Sequence, residues 1–536
     1  MKQHIKTLGL LLVSLLALAA CKVEYIPEGN KAQTAFQTMQ DVKWTREAMF
    51  ETVRSAEAPG NLIVGDYQSD LYSLIALVDN GSYGPFYDWD PTLLINADMI
   101  EGYYGSFCSL IKDANYFIMR AEELKANEDL IKNFTEDDMN KLNIYIAEAR
   151  TLRALGHYRL MIHFSKRYND ANDGGDLGIV MAKTYDPLFR NTKKARSTQK
   201  EVYEWCLKEL EEAANVLPTK SAYNDIKMDG IPCYLVDDYA HALRARILLE
   251  MHRYQDAIAE VEDLIDRYPL TDKLEDFSKI WREETSPEIM IKTYANQKIG
   301  RIGGILHGIQ YSPEYDAEIV IPLWLPTQYF VDLYTKPIDT QTSPGESDYR
   351  LRNWLEKSSK KGPNDVEVLL HPQIGSNKVM FVSKFRGNPA LDKNRDKHLF
   401  SYAHTTHLFD IAEAWLIKAE AEAWSGDVAG AKATLEEFRI HRGLGDPLSA
   451  NTQEEIKKTV MNERTREMIG MGTRMVDLKR WQVDLDRSDK GPQEGVNPGA
   501  LHIDNMDLHK SHTDKMFIWE FPLQDRFANK ELVANW

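Results

Sequence analysis

The chain has 536 residues, 43% of them hydrophobic and 27% charged, with a formal net charge of −17. This is ordinary globular composition with enough apolar material for a large core. The acidic balance argues against nucleic acid or anionic lipid surfaces as partners.

The chain begins MKQHIKTLGLLLVSLLALAAC. Lys2 and Lys6 form a basic start, and the apolar run from Leu8 to Ala20 is too short to span a bilayer, which needs ~20 apolar residues. That is the pattern of a secretory signal. Leu18-Ala19-Ala20-Cys21 matches a bacterial lipobox, with small residues for the peptidase and a thiol that takes the lipid. Residues 1–20 are expected to be a signal peptide, Cys21 the lipidation site, and 21–40 a lipidated tether containing Pro27-Glu28-Gly29-Asn30. Two or more acyl chains, at ~0.8 kcal/mol per buried methylene, give a durable anchor.

Residues 41–536 form the body. Turns are dense over 56–104, which holds PGN, DNGSYGP and DWDP. A helix is predicted over 141–165, where Leu152, Gly156, Leu160 and Phe164 step by four. His157 and His163 on it are six apart, not the four that makes a helical metal pair. The oxygen-rich stretch from Asn169 to Asp176 lacks the spacing of an EF-hand loop and reads as a solvated turn. Helical patterning continues over 199–266 and returns over 407–442. In the second stretch Leu408, Ile411, Ala412, Trp415, Leu416, Ala419 and Ala423 form one apolar stripe, Gly426 ends it, and Asp427 can cap the next helix. Shifted by 174 positions, Ala245 falls on Ala419, Ala257 on Ala431, Val261 on Leu435 and Leu264 on Phe438. Small residues at corresponding crossings are the pattern of tetratricopeptide-like hairpins. Residues 295–405 are rich in Gly, Pro, Asn and Lys, with a short strand expected around Val379–Phe385. Cys108, Cys206 and Cys233 are widely spaced and suggest neither a zinc site nor a disulfide framework, although one disulfide among them stays open.

In the segment 463–481, Glu463 and Glu467 lie one helical turn apart among Arg464, Arg466, Arg474 and Arg480. Arginine forks can hold a carboxylate ligand, or Glu413, Glu420, Asp477 and backbone carbonyls inside the scaffold; the second is the expected use. No hydrolase signature stands out, so no enzyme and no catalytic residue is expected.

Several segments, in order along the chain, resemble the SusD/RagB family. After the lipobox come Glu148 to Ala154 with Tyr158 and Phe164, then Gly178-Ile179-Val180, Ala195-Arg196-Ser197-Thr198, Glu201-Val202-Tyr203 and Leu217-Pro218. Ala412-Glu413 to Ala421 and Arg439 to Gly443 follow. The strongest is Glu463 to Glu467 with Gly472, Arg474, Asp477-Leu478 and Arg480-Trp481, and the chain closes on Phe521-Pro522, Asn529 and Asn535-Trp536. Ser165 stands where the family usually has glycine. The resemblance implies a mostly α fold in a single compact domain: a tetratricopeptide-like right-handed superhelix with loop-rich insertions and a few short strands. It implies a surface-exposed outer-membrane lipoprotein that captures oligosaccharides for a SusC-like TonB-dependent transporter; no cofactor and no metal ligand is expected. A peptide-binding member and a helical-repeat assembly protein without a small ligand are the alternatives.

Sugars offer apolar C–H faces to aromatic rings and hydroxyl edges to amides and carboxylates, so recognition needs rings on loops held by a stiff support. Two clusters qualify. The first is Tyr83, Phe86, Tyr87 and Trp89, with Asn80, Asp88 and Asp90 beside it. The second is Tyr294, Tyr311, Tyr315 and Trp324, with His307 and Gln310; Trp324, in the run IVIPLWLP, reads nearer core than ligand. Family members often build one wall of the site from each region. The ligand-binding segments are thus expected over 56–104 and 295–405.

Overall fold

The computed structural model describes residues 36–77, 79, 83–94, 97–186, 194–296, 307–313, 317–357, 360–361, 367–376, 378–392 and 402–536. The expected signal peptide, Cys21, most of the expected tether, Asn80 and Tyr315 lie outside them.

Helices form the scaffold, each packed on the one before it. The series begins with α1 (Met39–Ala56), α2 (Asp98–Lys125), α3 (Glu136–Phe164), α4 (Gln199–Ala214), α5 (Asp237–Glu250) and α6 (Tyr254–Arg267). After an excursion over 268–410 the chain returns as α7 (Ile411–Ser425) and α8 (Val428–Ile440). Helix α7 packs on both α6 and α8, so the two sequence-related hairpins are neighbours. Helix α9 (Gln453–Glu467) packs on α7, and α10 (Arg474–Trp481) follows it. No helix among the described residues is long and apolar enough to cross a membrane.

Local chemistry sets the helix ends. Thr38, Thr135, Thr198 and Thr452 each start a helix with a capping box, taking the backbone N–H three residues on while Asp41, Asp138, Glu201 and Glu455 reach back. Gly426 ends α7 in the left-handed region at φ 94°, and the Asp427 carboxylate accepts from Gly430 N to start α8. Ala245, Ala257, Ala419 and Ala431 are all fully buried, as a close approach of helices at the crossings requires. Ser165 ends α3 in extended backbone at φ −128°, which needs no glycine; its buried hydroxyl accepts from Gln199 Nε2 at 3.2 Å.

The strands are short: β1 (Tyr72–Leu74), β2 (Ile289–Lys292), β3 (His307–Ser312), β4 (Ala317–Pro322), β5 (Trp324–Pro326), β6 (Lys360–Lys361), β7 (Glu367–Leu370) and β8 (His407–Asp410). One sheet has the order β3-β4-β7-β6, with β4 and β7 parallel. Elsewhere β8 pairs with β2, tying the start of α7 to the excursion, and β1 pairs antiparallel with β5, setting Leu74 opposite Trp324. The strand expected around 379–385 is Met380–Val382, with all three side chains buried.

Helix α9 carries acids and arginines that are buried, and each finds partners inside the molecule. Glu463 lies 2.7 Å from Arg350 and accepts from Arg439 at 2.8 Å and Arg466 at 2.9 Å. Glu467 takes Arg442 and Arg350. Arg464 and Arg480 both reach Asp477, and Arg480 also grips Glu420 and Glu250. Arg474 forks onto Asp70 at 2.8 and 2.9 Å, so α10 is bolted to the N-terminal third of the chain. Glu413, one of the acids expected to meet this segment, is instead held by Arg246 of α5. The arginine-rich segment is therefore the electrostatic centre of the scaffold.

Gly472, just before α10, sits at φ 71°, and a Cβ there would lie 1.8 Å from the Leu62 carbonyl oxygen. The close approach lets its N–H donate to Asp66 at 3.0 Å. The chain terminus docks in the same manner: Glu520 accepts the backbone N–H groups of Asn535 and Trp536.

Candidate ligand-binding face

The turn-rich segment after β1 is organised by its acids. Asp79 accepts the N–H groups of Tyr83 and Gly84 at 3.2 and 3.1 Å, starting a single helical turn, Gly84–Tyr87. Trp89 leaves that turn at φ 56°, and Asp90 accepts from Thr92 N to start the next. The β1–β5 pairing brings this segment to the middle of the chain. Trp324 of β5 stacks on Tyr67 with ring centroids 4.4 Å apart and planes 8° off parallel. Tyr83 stands edge-on to both rings at 5.7 Å, and Tyr87 lies 5.9 Å from Trp324.

Trp324 of the second cluster thus meets the first, and the described rings there, Tyr83 excepted, face inward. Trp89 is 2% exposed and Trp324 1%. The Trp89 indole donates to Gln68 O at 2.9 Å and packs on Phe517. Tyr87 is buried under the Arg487 guanidinium, which lies 3.8 Å from its ring centroid. These three side chains are placed as core: Trp324 sits on a buried strand, and rings two residues apart in a tight turn, such as Tyr87 and Trp89, can fold under it as readily as out of it. Tyr83 is half-buried and keeps a free side; burial, then the neighbouring Asp79 charge, push its hydroxyl above the usual tyrosine range. Asp88 is also half-buried, with Oδ2 2.8 Å from His502 Nε2.

Tyr294 is half-buried just beyond β2, and the adjacent Ala295 packs in a small apolar group with Leu391 and Ala403. On β3, Tyr311 pairs with Glu318, Gln310 with Ile319 and His307 with Pro322; their side chains are outside the described residues, as are Asn80 and Tyr315.

Other polar sequence features serve structure. In the turn 169–176, Asp170 meets His252, Asp173 meets Lys200, and Asp176 accepts from the amides of Asn169 and Asn172. His157 is buried with both ring nitrogens on backbone groups, Arg153 O and Ala182 N; burial lowers it to about 4. His163 is buried against Trp519. Cys108, Cys206 and Cys233 are free thiols.

Two small cavities, of about 40 and 30 Å³, lie among the buried charges near Arg246 and Glu413. Each has room for a few waters and not for a saccharide. Sequence reasoning missed Tyr67, Arg487 and His502, which surround the candidate cluster. Arg487 and His502 reach it from a distant part of the chain, beyond any local pattern, while Tyr67 lies within the segment 56–104 but apart from the rings singled out there.

Residues 357–531 match the family model described as SusD family. No curated protein matches the sequence. Among solved structures, the chain is similar to a SusD superfamily protein from Bacteroides thetaiotaomicron VPI-5482 at 19% identity, covering 93% of this chain and 99% of that one, with a TM-score of 0.70. It is similar to a SusD-like carbohydrate binding protein from Bacteroides vulgatus ATCC 8482 at 16% identity, covering 92% and 97%, with a TM-score of 0.66. A SusD-like carbohydrate binding protein from Bacteroides fragilis NCTC 9343 is similar at 14% identity, covering 93% and 100%, with a TM-score of 0.65. At these identities the likeness is one of fold.

Proposed function

We propose, from the premise that the chain is a SusD/RagB-family protein, that it binds oligosaccharides without cleaving them and presents them to a SusC-like TonB-dependent transporter in the outer membrane. The observation that carries the reading is the SusD family match over 357–531, joined to a fold shared with carbohydrate-binding proteins of Bacteroides. The buried charges are spent on the scaffold, which leaves open faces for recognition. Tyr83 is the ring best placed to cover a sugar face, with Asp79 beside it for hydroxyls. Tyr294 and Tyr311 are assigned to a second wall.

Calorimetric titration against a panel of bacterial, plant and host glycans tests this. At least one glycan is expected to bind, and Tyr83→Ala is expected to weaken it about tenfold, the scale of one lost aromatic contact of ~1.5 kcal/mol. Silence across the panel, with binding of peptides instead, would overturn the glycan reading; release of shorter sugars on incubation would overturn the non-catalytic one.

The anchor is proposed from Cys21. Cells expressing the full chain are expected to place labelled palmitate on the wild type and not on Cys21→Ser, and equal labelling of both would remove the tether from this account. Two acyl chains hold such a protein at the membrane without a spanning helix.

A further inference from the structure

We propose that Asp88, His502 and Asp504 form a binding site for one divalent cation of the Zn²⁺ class. One donor atom from each residue lies within 4.8 Å of the other two. His502 Nε2 and Asp88 Oδ2 are already 2.8 Å apart. The other Asp88 oxygen, Oδ1, is sealed from solvent and accepts no hydrogen bond among the described residues. A plain His502–Asp88 contact explains one carboxylate oxygen. It gives no role to the Asp504 carboxylate at the same spot, whereas a cation between the three would take one donor atom from each.

The backbone holds these groups in place before any ion arrives. His502 N donates to Leu74 O at 2.9 Å, fixing the C-terminal segment to the end of β1. The His502 ring stands edge-on to Tyr87 at 5.9 Å, and a Cβ on Gly84 would come within 3.1 Å of it, so the imidazole is wedged against the turn that carries Asp88. Asn505 turns the chain at φ 54° and donates from its side chain to Asp88 O at 3.3 Å. Asp504, between these anchors, is exposed and free to close the last distance.

The donor set chooses the cation. One imidazole and two carboxylates suit Zn²⁺ and its neighbours, while Ca²⁺ and Mg²⁺ take oxygen ligands only. Three protein ligands would leave a fourth position for water. The ion would tie the segment 83–91 to the segment 500–505, two stretches more than 400 positions apart in sequence.

The test uses the untagged mature chain stripped of metal and titrated with ZnCl₂, with Co²⁺ absorption in the visible as a readout of coordination. One zinc per chain is expected. Loss of a direct ligand in Asp504→Asn or His502→Asn is expected to weaken it by more than the roughly 10–100-fold that loss of an outer partner costs. Asp504 is exposed, so its variant tests the site without disturbing the fold; an unchanged melting curve of the metal-free variant verifies this. Absence of binding overturns the proposal. So does zinc that survives both substitutions and is lost in His512→Gln, because His509, His512, Asp484 and Asp486 form a rival surface group. The inference does not depend on glycan recognition: a chain that takes zinc at this site and no sugar fails only the latter.

Discussion

Glu463→Ala is expected to cost about 3–5 kcal/mol of folding stability, the scale measured when one partner of a buried ion pair is removed. The carboxylate is fully buried and faces Arg350, Arg439 and Arg466 at 2.7 to 2.9 Å. Taking it away leaves three guanidinium groups crowded in a medium that hydrates none of them. Arg350 and Arg466 keep Asp348 and Asp339, but Arg439 loses its carboxylate outright. Folded proteins are stable by only about 5–15 kcal/mol, so this one change consumes a large share. Urea unfolding followed by circular dichroism measures it, and a loss below about 1 kcal/mol would mean that the network is ornamental. The acid limb gives a second readout. Burial alone would raise the Glu463 carboxyl, but the three arginines overcome it and hold it well below the usual carboxylate range. A depressed folded-state value means the stabilisation is complete above the unfolded value near ~4.3 and fades as the pH falls below it. The variant should therefore lose stability less steeply below pH ~4 than the wild type.

Why this network was legible in the sequence, and the ligand face was not, has a physical reason. A helix repeats every 3.6 residues, so stripes such as Leu408 to Ala423 declare both the helix and its buried face. The cap at Asp427 declares where a helix begins, while the capping box at Thr135 went unread and the helix expected from 141 starts at Glu136. Acids and arginines packed at helical spacing in 463–480 declare internal pairing, because so much charge cannot be buried unpaired. Partners outside the segment were not readable: Arg474 meets Asp70 from 404 positions away, and Glu413 goes to Arg246 instead of to α9. The candidate ligand face depends largely on contacts that no local spacing announces. Tyr83, Tyr87 and Trp89 look alike on paper, yet one is half-exposed and two are buried, according to whether Gln68, Arg487 and Phe517 arrive above them. Turn-rich segments have no period, so side-chain direction there is set by partners and not by spacing.

His407 should make the protein lose stability in mild alkali by up to about 3 kcal/mol, a loss that His407→Gln abolishes. The imidazole is buried between two carboxylates. Its Nδ1 is 3.1 Å from Asp410 and its Nε2 3.5 Å from Glu284, while Trp281 stacks on its face at 4.3 Å. Burial alone would favour the neutral ring; Asp410 and then Glu284 overcome it and raise the group to about 9. Glu284 responds in kind: burial opposes its charge, but His407, His404 and Thr405 bring its carboxyl down to about 2. Between pH ~6.5 and 9 the folded chain therefore keeps a proton that the unfolded chain has released. Stability from His407 is complete below ~6.5 and drains away as the pH rises through 9. Two buried lysines act with the opposite sign. Lys384, on the carbonyls of Glu467 and Ile469, and Lys479, on those of Ile162 and Ser165, are lowered by burial to about 8. Their unfolded forms hold protons up to ~10.4, so their contribution rises with pH from about 8 upward. The total alkaline profile mixes both trends, and only a difference isolates the imidazole. Unfolding midpoints of wild type and His407→Gln, measured from pH 6 to 10, should lie far apart at the acid end and converge by pH ~9. Parallel profiles would show that the ring is neutral in the folded chain, and that Asp410 and Glu284 are held by other partners.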